Sequence, residues 1–349
     1  MPTIPFSLRK GLAIFIGLAV ITALIVLFFT VDADTWSSLS SINKRFFLLA
    51  FSTAALSWFF EALRFKVLVE AAGERISFKM GLYLTFLNYF GSAITPMQGG
   101  GGPFQVYVLY KNGVNVGKGV AVTLTKTLMV LFLLGAMVIV ALFLQPQILA
   151  GQTLIEGLLG YVTVVVLGIW FVTALSLLRP KLMKRLIGGL MVRLKNIGII
   201  KDRLAFKVIR FSNREIDNYC ENFRTLFSSG LRRCMVALAL TFLQLFCSFL
   251  VLPFLAWSMD LPADLMAAMM LQAVFTFVLY FVPTPGASGV AEGGATAVFK
   301  LLVPWNMAGV TALLWRVFTA YIPVLLGALV AMYLLGKGVN GEIERPHEG

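Results

Sequence analysis

The chain is poor in the residue types on which catalysis and metal binding usually depend. It has one histidine, three cysteines and sixteen acidic residues among 349, and only 13% of its residues are charged. The histidine, His347, lies in a polar tail, and the sequence contains no phosphate-binding loop or dinucleotide fingerprint. The cysteines are unevenly spaced, so no disulfide framework is expected. These shortages argue against an enzyme, a metal centre, a cofactor site and an ATP-driven pump.

Apolar residues dominate instead. They make up 59% of the chain, and the mean hydropathy is +0.89, which leaves too little polar surface to cover a soluble globule of this size. Six apolar runs are long enough to cross a hydrocarbon core of about 30 Å. They occupy roughly residues 11–31, 46–69, 119–144, 154–178, 233–258 and 307–335. We therefore predict an all-α polytopic membrane protein with about six full crossings in a single integral membrane domain, residues 1–349.

Basic residues set the predicted orientation. The loop 179–233 carries fourteen lysines and arginines against four acidic residues, whereas the linkers 145–153 and 258–264 have neither lysine nor arginine. Because cytoplasmic loops carry the excess of positive charge, both termini are expected in the cytoplasm, with the chain in the cell (inner) membrane. Leucines alternate with cations in 179–233, which predicts amphipathic helices on the inner leaflet. Topology alone accounts for this charge, so nucleic acid is not an expected partner.

Two segments rich in glycine and proline interrupt the apolar pattern at corresponding places in the two halves. They are TPMQGGGGPFQVY, residues 95–107, and TPGASGVAEGG, residues 284–294. After the glycines of the first segment only residues 104–110 remain apolar before Lys111, which is about 10 Å of helix and too short to cross a bilayer. We predict two re-entrant helical hairpins, 80–110 and 265–303, that open to opposite sides of the membrane.

With these hairpins the chain divides into two similar units. Residues 46–144 form a helix, a hairpin and a helix, and residues 233–335 repeat that order with inverted topology, as in many secondary transporters. Irregular backbone at membrane depth needs protein or water as a hydrogen-bond partner, so the two tips are expected to meet near the midplane. Backbone N–H groups at the starts of the return helices then favour a phosphate or carboxylate. The alternative is that the glycines serve only close helix packing.

The two segments resemble the signature segments of a known family, the lysylphosphatidylglycerol synthase transmembrane region family. The second segment is similar to the family's P-T-P-G-G-x-G-x-x-E pattern. The matching residues are Pro283, Pro285, Gly286, Gly289 and Glu292, and Ala287 stands where a second glycine is common. The resemblance covers residues 10–335 and implies a lipid-translocating module, like the flippase half of the multiple peptide resistance factor.

The resemblance does not imply lipid synthesis, because aminoacyl transfer in that factor belongs to a separate soluble domain. The first segment also departs from the family pattern. Relatives often carry an acidic or basic residue near the glycines, where this chain has Gln98 and Gln105. A different headgroup is therefore expected.

Ionisable residues inside apolar helices are the second pointer to function, since each costs roughly 2.5–3.5 kcal/mol at a helix centre. Glu292 and Arg316 are expected near mid-depth, either to recognise a lipid headgroup or to form a structural ion pair. Lys126 occupies in the first unit the position of Arg316 in the second, unless it snorkels to the surface. Glu61 and Arg64 share a helix face and predict a local ion pair, with headgroup entry as the alternative role of Arg64.

The candidate translocation site combines both tips with the intramembrane cations and contains no metal ligand. Its members are Thr95, Pro96, Gln98, Gly99, Gly100, Gly101, Gln105, Lys126, Pro285, Gly286, Gly289, Glu292, Arg316 and Arg64. The expected function is a flippase for an anionic phospholipid or a polyprenyl-linked intermediate. One alternative is a non-transporting subunit that presents lipid to a partner glycosyl- or aminoacyltransferase. The other is a secondary transporter of a small ion.

Overall fold

The chain is helical wherever the structure, a computed structural model, describes regular secondary structure. The described residues are 6–144, parts of 160–178, 179–197 and 202–339. The helices described along their length are α1 (Phe6–Thr30), α2 (Ala33–Ser40), α3 (Lys44–Ala71), α4 (Phe78–Ala93), α5 (Gly101–Lys111), α6 (Val116–Leu144), α7 (Pro180–Asn196), α8 (Asp202–Phe249), α9 (Val251–Ser258), α10 (Leu265–Leu279), α11 (Val290–Phe299), α12 (Trp305–Arg316) and α13 (Ile322–Val339).

Five stretches of the described residues are long and apolar enough to cross a membrane. They are Lys10–Thr30, Lys44–Ala71, Val116–Val140, Gly230–Ser258 and Trp305–Leu334. These stretches coincide with five of the six predicted crossings. The sixth, residues 154–178, lies mostly outside the described residues. The prediction of an all-helical polytopic membrane protein is confirmed at this level.

Both predicted hairpins consist of two short helices joined by a broken turn. α4 and α5 flank the single turn Pro96–Gln98, and α10 and α11 flank the single turn Pro285–Ala287. The 16 residues of α4 and the 15 of α10 correspond to about 24 Å and 22 Å of helix. The return helices α5 and α11 are shorter still, with 11 and 10 residues. Each limb is therefore shorter than a hydrocarbon core of about 30 Å.

Side-chain caps fix the residue at which each hairpin begins. The hydroxyl of Ser77 accepts a hydrogen bond from the backbone N–H of Met80 at 3.2 Å, which starts α4. The carboxylate of Asp264 accepts from the N–H of Ala267 at 2.7 Å, which starts α10. Such caps satisfy backbone donors that the first helical turn leaves without partners.

The same order of elements, a helix, two short helices and a helix, occurs in two parts of the chain. α3, the hairpin α4–α5 and α6 form the first, and the apolar part of α8 with α9, the hairpin α10–α11 and α12–α13 form the second. The first helices of the two units, α3 and α8, pack against each other, and α3 also contacts α4 and α9. Phe65 and Leu68 of α3 and Leu84 and Leu87 of α4 belong to one buried core that includes both helices.

The basic segment forms two helices, and the second runs into a membrane span. α8 bends at Gly230, where the backbone is not helical (φ −148°, ψ 28°). A Cβ at this position would lie 3.2 Å from the Cβ of Ala71, so α8 approaches α3 closely at the bend. Leu182, Leu186 and Leu190 are exposed and spaced four residues apart along α7, so they form one apolar stripe.

The last span is not a uniform α-helix. α12 ends at Arg316, and a π-helical turn, Val317–Tyr321, precedes α13. Residues five apart point in different directions on an α-helix, whereas the wider π turn brings them toward the same side. The turn thereby lets Arg316 and Tyr321 reach the same neighbour. α12 packs against α11 of the second hairpin, and α13 packs against α4 of the first.

Candidate functional site

The broken turns of the two hairpins lie against each other. The side-chain amide of Gln98 donates a hydrogen bond to the carbonyl oxygen of Leu279 at 3.1 Å, which links the first turn to the end of α10. Gly286 has φ +59°, and a Cβ there would lie 3.1 Å from the Cα of Ala93 and 2.7 Å from the ring of Phe15. A glycine is needed at this contact because it combines a left-handed backbone with no side chain. The structure thus brings the two predicted tips together.

The glycines of the first tip divide into two groups. The hydroxyl of Thr95 donates to the carbonyl of Gly91 at 2.8 Å and accepts from the N–H of Gly100 at 2.7 Å. A Cβ on Gly100 would lie 2.6 Å from the Gly91 carbonyl oxygen, so α4 and the tip are in backbone contact. Gly99 and Gly102 face a cavity and have room for a side chain. Close packing therefore explains only part of the glycine run.

This division predicts opposite results for two neighbouring substitutions. Gly101→Ala places a Cβ 2.9 Å from the carbonyl oxygen of Asn88 and 2.8 Å from the hydroxyl of Ser92, and such overpacking typically costs about 1–3 kcal/mol. Gly102→Ala meets no atom within 4 Å, so its effect on stability should be near zero or favourable. Thermal unfolding of both variants in detergent measures the difference. Equal loss in the two variants would contradict the packing assignment.

Glu292 organises the second tip. One carboxylate oxygen accepts from the N–H of Gly289 at 2.7 Å and so caps α11. The other accepts from Nε of Arg316 at 3.1 Å and from the hydroxyl of Tyr321 at 2.8 Å. Arg316 also donates to the carbonyl of Gly286 at 3.1 Å. The predicted pair between Glu292 and Arg316 is present, and it fixes the second hairpin to α12.

The arrangement at the second tip corrects one expectation. An anion-binding N-terminus was expected on both return helices, but the carboxylate of Glu292 already takes that place on α11. Glu292 is fully buried, while Arg316 lines the cavity. Glu292 therefore holds Arg316 from behind the cavity wall and is not itself among the residues that line the cavity. At the first tip α5 begins at Gly101 without a side-chain cap.

A second charged cluster joins four helices. Nζ of Lys126 on α6 lies 3.6 Å from Oε1 of Glu61 on α3, and a guanidinium nitrogen of Arg64 lies 3.5 Å from the same oxygen. Lys126 also donates to Oε1 of Gln105 on α5 at 3.2 Å, and Gln105 donates to the carbonyl of Leu84 on α4 at 2.9 Å. One carboxylate shared by two cations leaves a net positive charge.

Burial decides between the two roles expected for Lys126. Three residues of this cluster are each 4% exposed or less: Glu61, Arg64 and Lys126. The alternative that Lys126 snorkels to the surface is wrong, because its ammonium turns inward to Glu61. The predicted ion pair of Glu61 with Arg64 is present. Sequence reasoning missed that Lys126 joins it.

A cavity of about 870 Å³ connects the two clusters. The buried part of its lining includes Arg64, Lys126 and Arg316. The exposed part of its lining is largely apolar, with four residues that are 44–56% exposed: Tyr107, Tyr110, Val116 and Leu124. These residues come from α5 and α6, so the cavity opens between the return limb of the first hairpin and the following span. The cavity is thus amphipathic, with cations inside and apolar groups at its mouth.

The predicted site residues fall into three groups around this cavity. Those that line it are Arg64, Gln98, Gly99, Lys126, Gly286 and Arg316. Those that support the lining by hydrogen bonds or close packing are Thr95, Gly100, Gly101, Gln105, Gly289 and Glu292. Pro96 and Pro285 begin the two broken turns and do not line the cavity.

Glutamines on two neighbouring helices complete the lining. Gln244 on α8 accepts from Arg64 at 3.5 Å, and Gln272 on α10 donates to the carbonyl of Ser248 at 2.9 Å. Each of these hydrogen bonds links two helices. The position of the two glutamines in the cavity was not predicted. The available sequence signal was spacing, since Gln272, Thr276 and Tyr280 recur every four residues and all line the cavity.

The fold and the cavity define a polytopic helical membrane protein in which two broken hairpins meet beside a cation-lined chamber. The chain matches the model of the lysylphosphatidylglycerol synthase TM region over residues 14–327 and belongs to that family. It is also similar to a UPF0104 membrane protein from Archaeoglobus fulgidus. The two are 25% identical over 325 residues, which cover 92% of this chain and 97% of the relative.

Proposed function

We propose that this protein moves an anionic membrane lipid between the two leaflets. The observation that carries the proposal is the amphipathic cavity, whose lining combines three buried cations with exposed, largely apolar residues. A lipid has the same distribution of polarity, with an anionic phosphate next to long apolar chains. A small soluble ion has no counterpart for the apolar mouth, so the cavity favours a lipid.

The charges around the cavity fit a single phosphate group. Arg64, Lys126 and Arg316 are opposed by two carboxylates, Glu61 and Glu292, so one positive charge is left over. Guanidinium and ammonium groups form short, charge-assisted hydrogen bonds to phosphate oxygens. A phosphodiester with one negative charge would neutralise the cavity. The phosphate would lie at the buried end and the acyl or prenyl chains would leave through the mouth.

The hairpins supply the conformational part of the proposal. Their limbs are shorter than a hydrocarbon core and their tips touch, which supports re-entrant hairpins that enter from opposite sides. The basic segment 179–233 supports cytoplasmic termini in the cell membrane. In inverted-repeat transporters one repeat rocks against the other around a fixed site. Here the contact between the two tips would be the point at which access alternates.

Removal of the Lys126 charge tests the proposal. The protein is reconstituted in liposomes with fluorescent phosphatidylglycerol, and the rate at which label in the outer leaflet becomes protected from a quencher is measured. Lys126→Gln should lower the protein-dependent rate about tenfold or more, because a charge-assisted hydrogen bond contributes roughly 1.5–3 kcal/mol. Lys118→Gln is the matched control. Lys118 pairs with Glu74 at 2.6 Å on the surface, so its loss should change the rate less than about twofold.

Two outcomes would contradict the assignment. If the wild-type protein moves anionic lipid no faster than protein-free liposomes, translocation fails as the function. If lipid then binds in a Lys126-dependent way without moving, the cavity serves to present lipid to a partner enzyme. Equal loss of transport in Lys126→Gln and Lys118→Gln would mean that the cavity charge is not involved.

A further inference from the structure

A row of uncharged polar side chains lies beside the cationic end of the cavity. On α10, Gln272 and Thr276 are four residues apart, and Tyr280 follows four residues later, so the three share one face. On α8, Gln244 and Ser248 have the same spacing. All five residues line the cavity. Gln244 accepts a hydrogen bond from Arg64, so the row is in contact with the cation cluster.

Several polar atoms around this row have unused hydrogen-bonding capacity. Gln272 is 1% exposed, and its Oε1 has no hydrogen-bond partner among the described residues. Within the described residues, the indole N–H of Trp315 and the Nε of Arg64 also have no hydrogen-bond partner. An unsatisfied buried polar atom costs about 1–3 kcal/mol. Three residues of the lining thus contain one acceptor and two donors without partners, which a group that can both donate and accept would satisfy.

A hydroxyl group meets that requirement, since it donates one hydrogen bond and accepts others. An ammonium group does not, because it only donates and needs a negative partner when it is buried. Glu61 is the one acidic residue among the described residues that line the cavity, and Arg64 and Lys126 already share it. An ammonium headgroup would lie near three cations without a carboxylate of its own.

We propose that the cavity selects lipids whose phosphate is a singly charged diester and whose headgroup is an uncharged polyhydroxyl group, such as glycerol or a sugar. The phosphate lies at Arg64 and Lys126, and the hydroxyls bond to Gln272 and its neighbours. Lipids with an ammonium headgroup, aminoacylated ones included, are discriminated against. This inference rests on the proposed function and specifies the substrate class of the same site.

Binding of defined lipids to the purified wild-type protein provides the first test. Phosphatidylglycerol is compared with phosphatidylmethanol, which has the same charge but no headgroup hydroxyl, and with phosphatidylethanolamine and lysyl-phosphatidylglycerol. Native mass spectrometry or a thermal-shift titration in detergent gives the affinities. Phosphatidylglycerol should bind about tenfold more tightly than phosphatidylmethanol, and both should bind more tightly than the two ammonium lipids. A preference for either ammonium lipid overturns the proposal, and equal affinity for the first two overturns it for a glycerol headgroup.

Substitution of Gln272 provides the second test. Gln272→Leu should weaken phosphatidylglycerol binding about tenfold and leave phosphatidylmethanol binding within about twofold. Thr276→Val, on the same face, should act in the same direction. Gln272→Glu adds the missing carboxylate and should raise the affinity for phosphatidylethanolamine relative to phosphatidylglycerol. If the Leu and Val variants weaken both diesters equally, the row is structural and the proposal fails.

A polyprenyl phosphohexose distinguishes the two sources of hydroxyl groups. It is compared with phosphatidylglycerol and with the methyl ester of the same polyprenyl phosphate. Tighter binding of the hexose than of its methyl ester supports the proposal and assigns a lipid-linked sugar. If neither hydroxylated lipid binds more tightly than its own hydroxyl-free analogue, the proposal is overturned.

These measurements separate the inference from the proposed function. Binding needs no movement of lipid, so the expected ranking of affinities together with no translocation would contradict only the transport function. Translocation of all anionic diesters at the same rate, with equal affinities, would contradict only the headgroup selection.

Discussion

Glu292→Gln is expected to lower the free energy of unfolding by about 3–5 kcal/mol, the usual cost of leaving one member of a buried ion pair without its partner. Glutamine has nearly the same shape and retains an oxygen that can accept from the N–H of Gly289. The charge that opposes Arg316 is lost, although Arg316 remains buried at the second tip. The second hairpin should then be held less firmly against α12. Chemical unfolding in mixed micelles measures the change.

Substitution of both partners distinguishes a coupled pair from two independent losses. Arg316→Met alone should also be strongly destabilising, whereas Glu292→Gln with Arg316→Met should cost less than the two single changes together. Glu70→Gln serves as the control. Glu70 pairs with Lys66 at 3.8 Å with both side chains about one-third exposed, so its loss should cost less than about 1 kcal/mol. Additive effects in the double variant would show that Glu292 and Arg316 do not act as a unit.

Glu61→Gln is expected to tighten the binding of anionic lipid about tenfold or more and to slow its release. Glu61 is the shared counter-ion of Arg64 and Lys126, and the two cations repel each other by a few kcal/mol without it. A lipid phosphate can then relieve that repulsion as well as form its own hydrogen bonds. Translocation should become slower, because a carrier that binds its cargo too firmly is limited by release.

Two measurements on the same variant test this expectation. The affinity for phosphatidylglycerol should rise, and the steady rate of translocation in liposomes should fall. Glu74→Gln is the control, since its carboxylate pairs with Lys118 away from the cavity, and neither quantity should change more than about twofold. Weaker lipid binding in Glu61→Gln would show that the carboxylate supports the site and does not compete with the phosphate.

The sequence predicts well those features that depend on neighbouring residues. A run of about twenty apolar residues has few alternatives to a membrane-crossing helix, and five predicted crossings match the structure. Proline and glycine runs place both broken turns, because such residues end helices. The cap of α11 by Glu292 could also have been predicted from the sequence, since a carboxylate three residues after Gly289 has the spacing of a capping box.

Features that depend on the orientation of each helix about its own axis were not predictable in this way. Lys126 meets Glu61 because α6 and α3 turn those two positions toward each other, and spacing along the chain contains no information on that rotation. Four consecutive glycines likewise look equivalent in the sequence. Only the approach of α4 shows that Gly100 and Gly101 are in backbone contact while Gly99 and Gly102 face the cavity.

The π turn at 317–321 divides the last span into two helices, α12 and α13, whose side chains are rotated relative to each other about the helix axis. Because the turn accommodates about one residue more than a regular helical turn, the helix after it is out of phase with the helix before it by roughly 100°. α12 directs Arg316 to the tip of the second hairpin, while α13 sets Gly327 against the backbone of Phe86 in the first. A regular helix through the same residues would be aligned with one hairpin only. The span therefore contacts both hairpins, and a rotation of one hairpin relative to the other would change the geometry of these five residues.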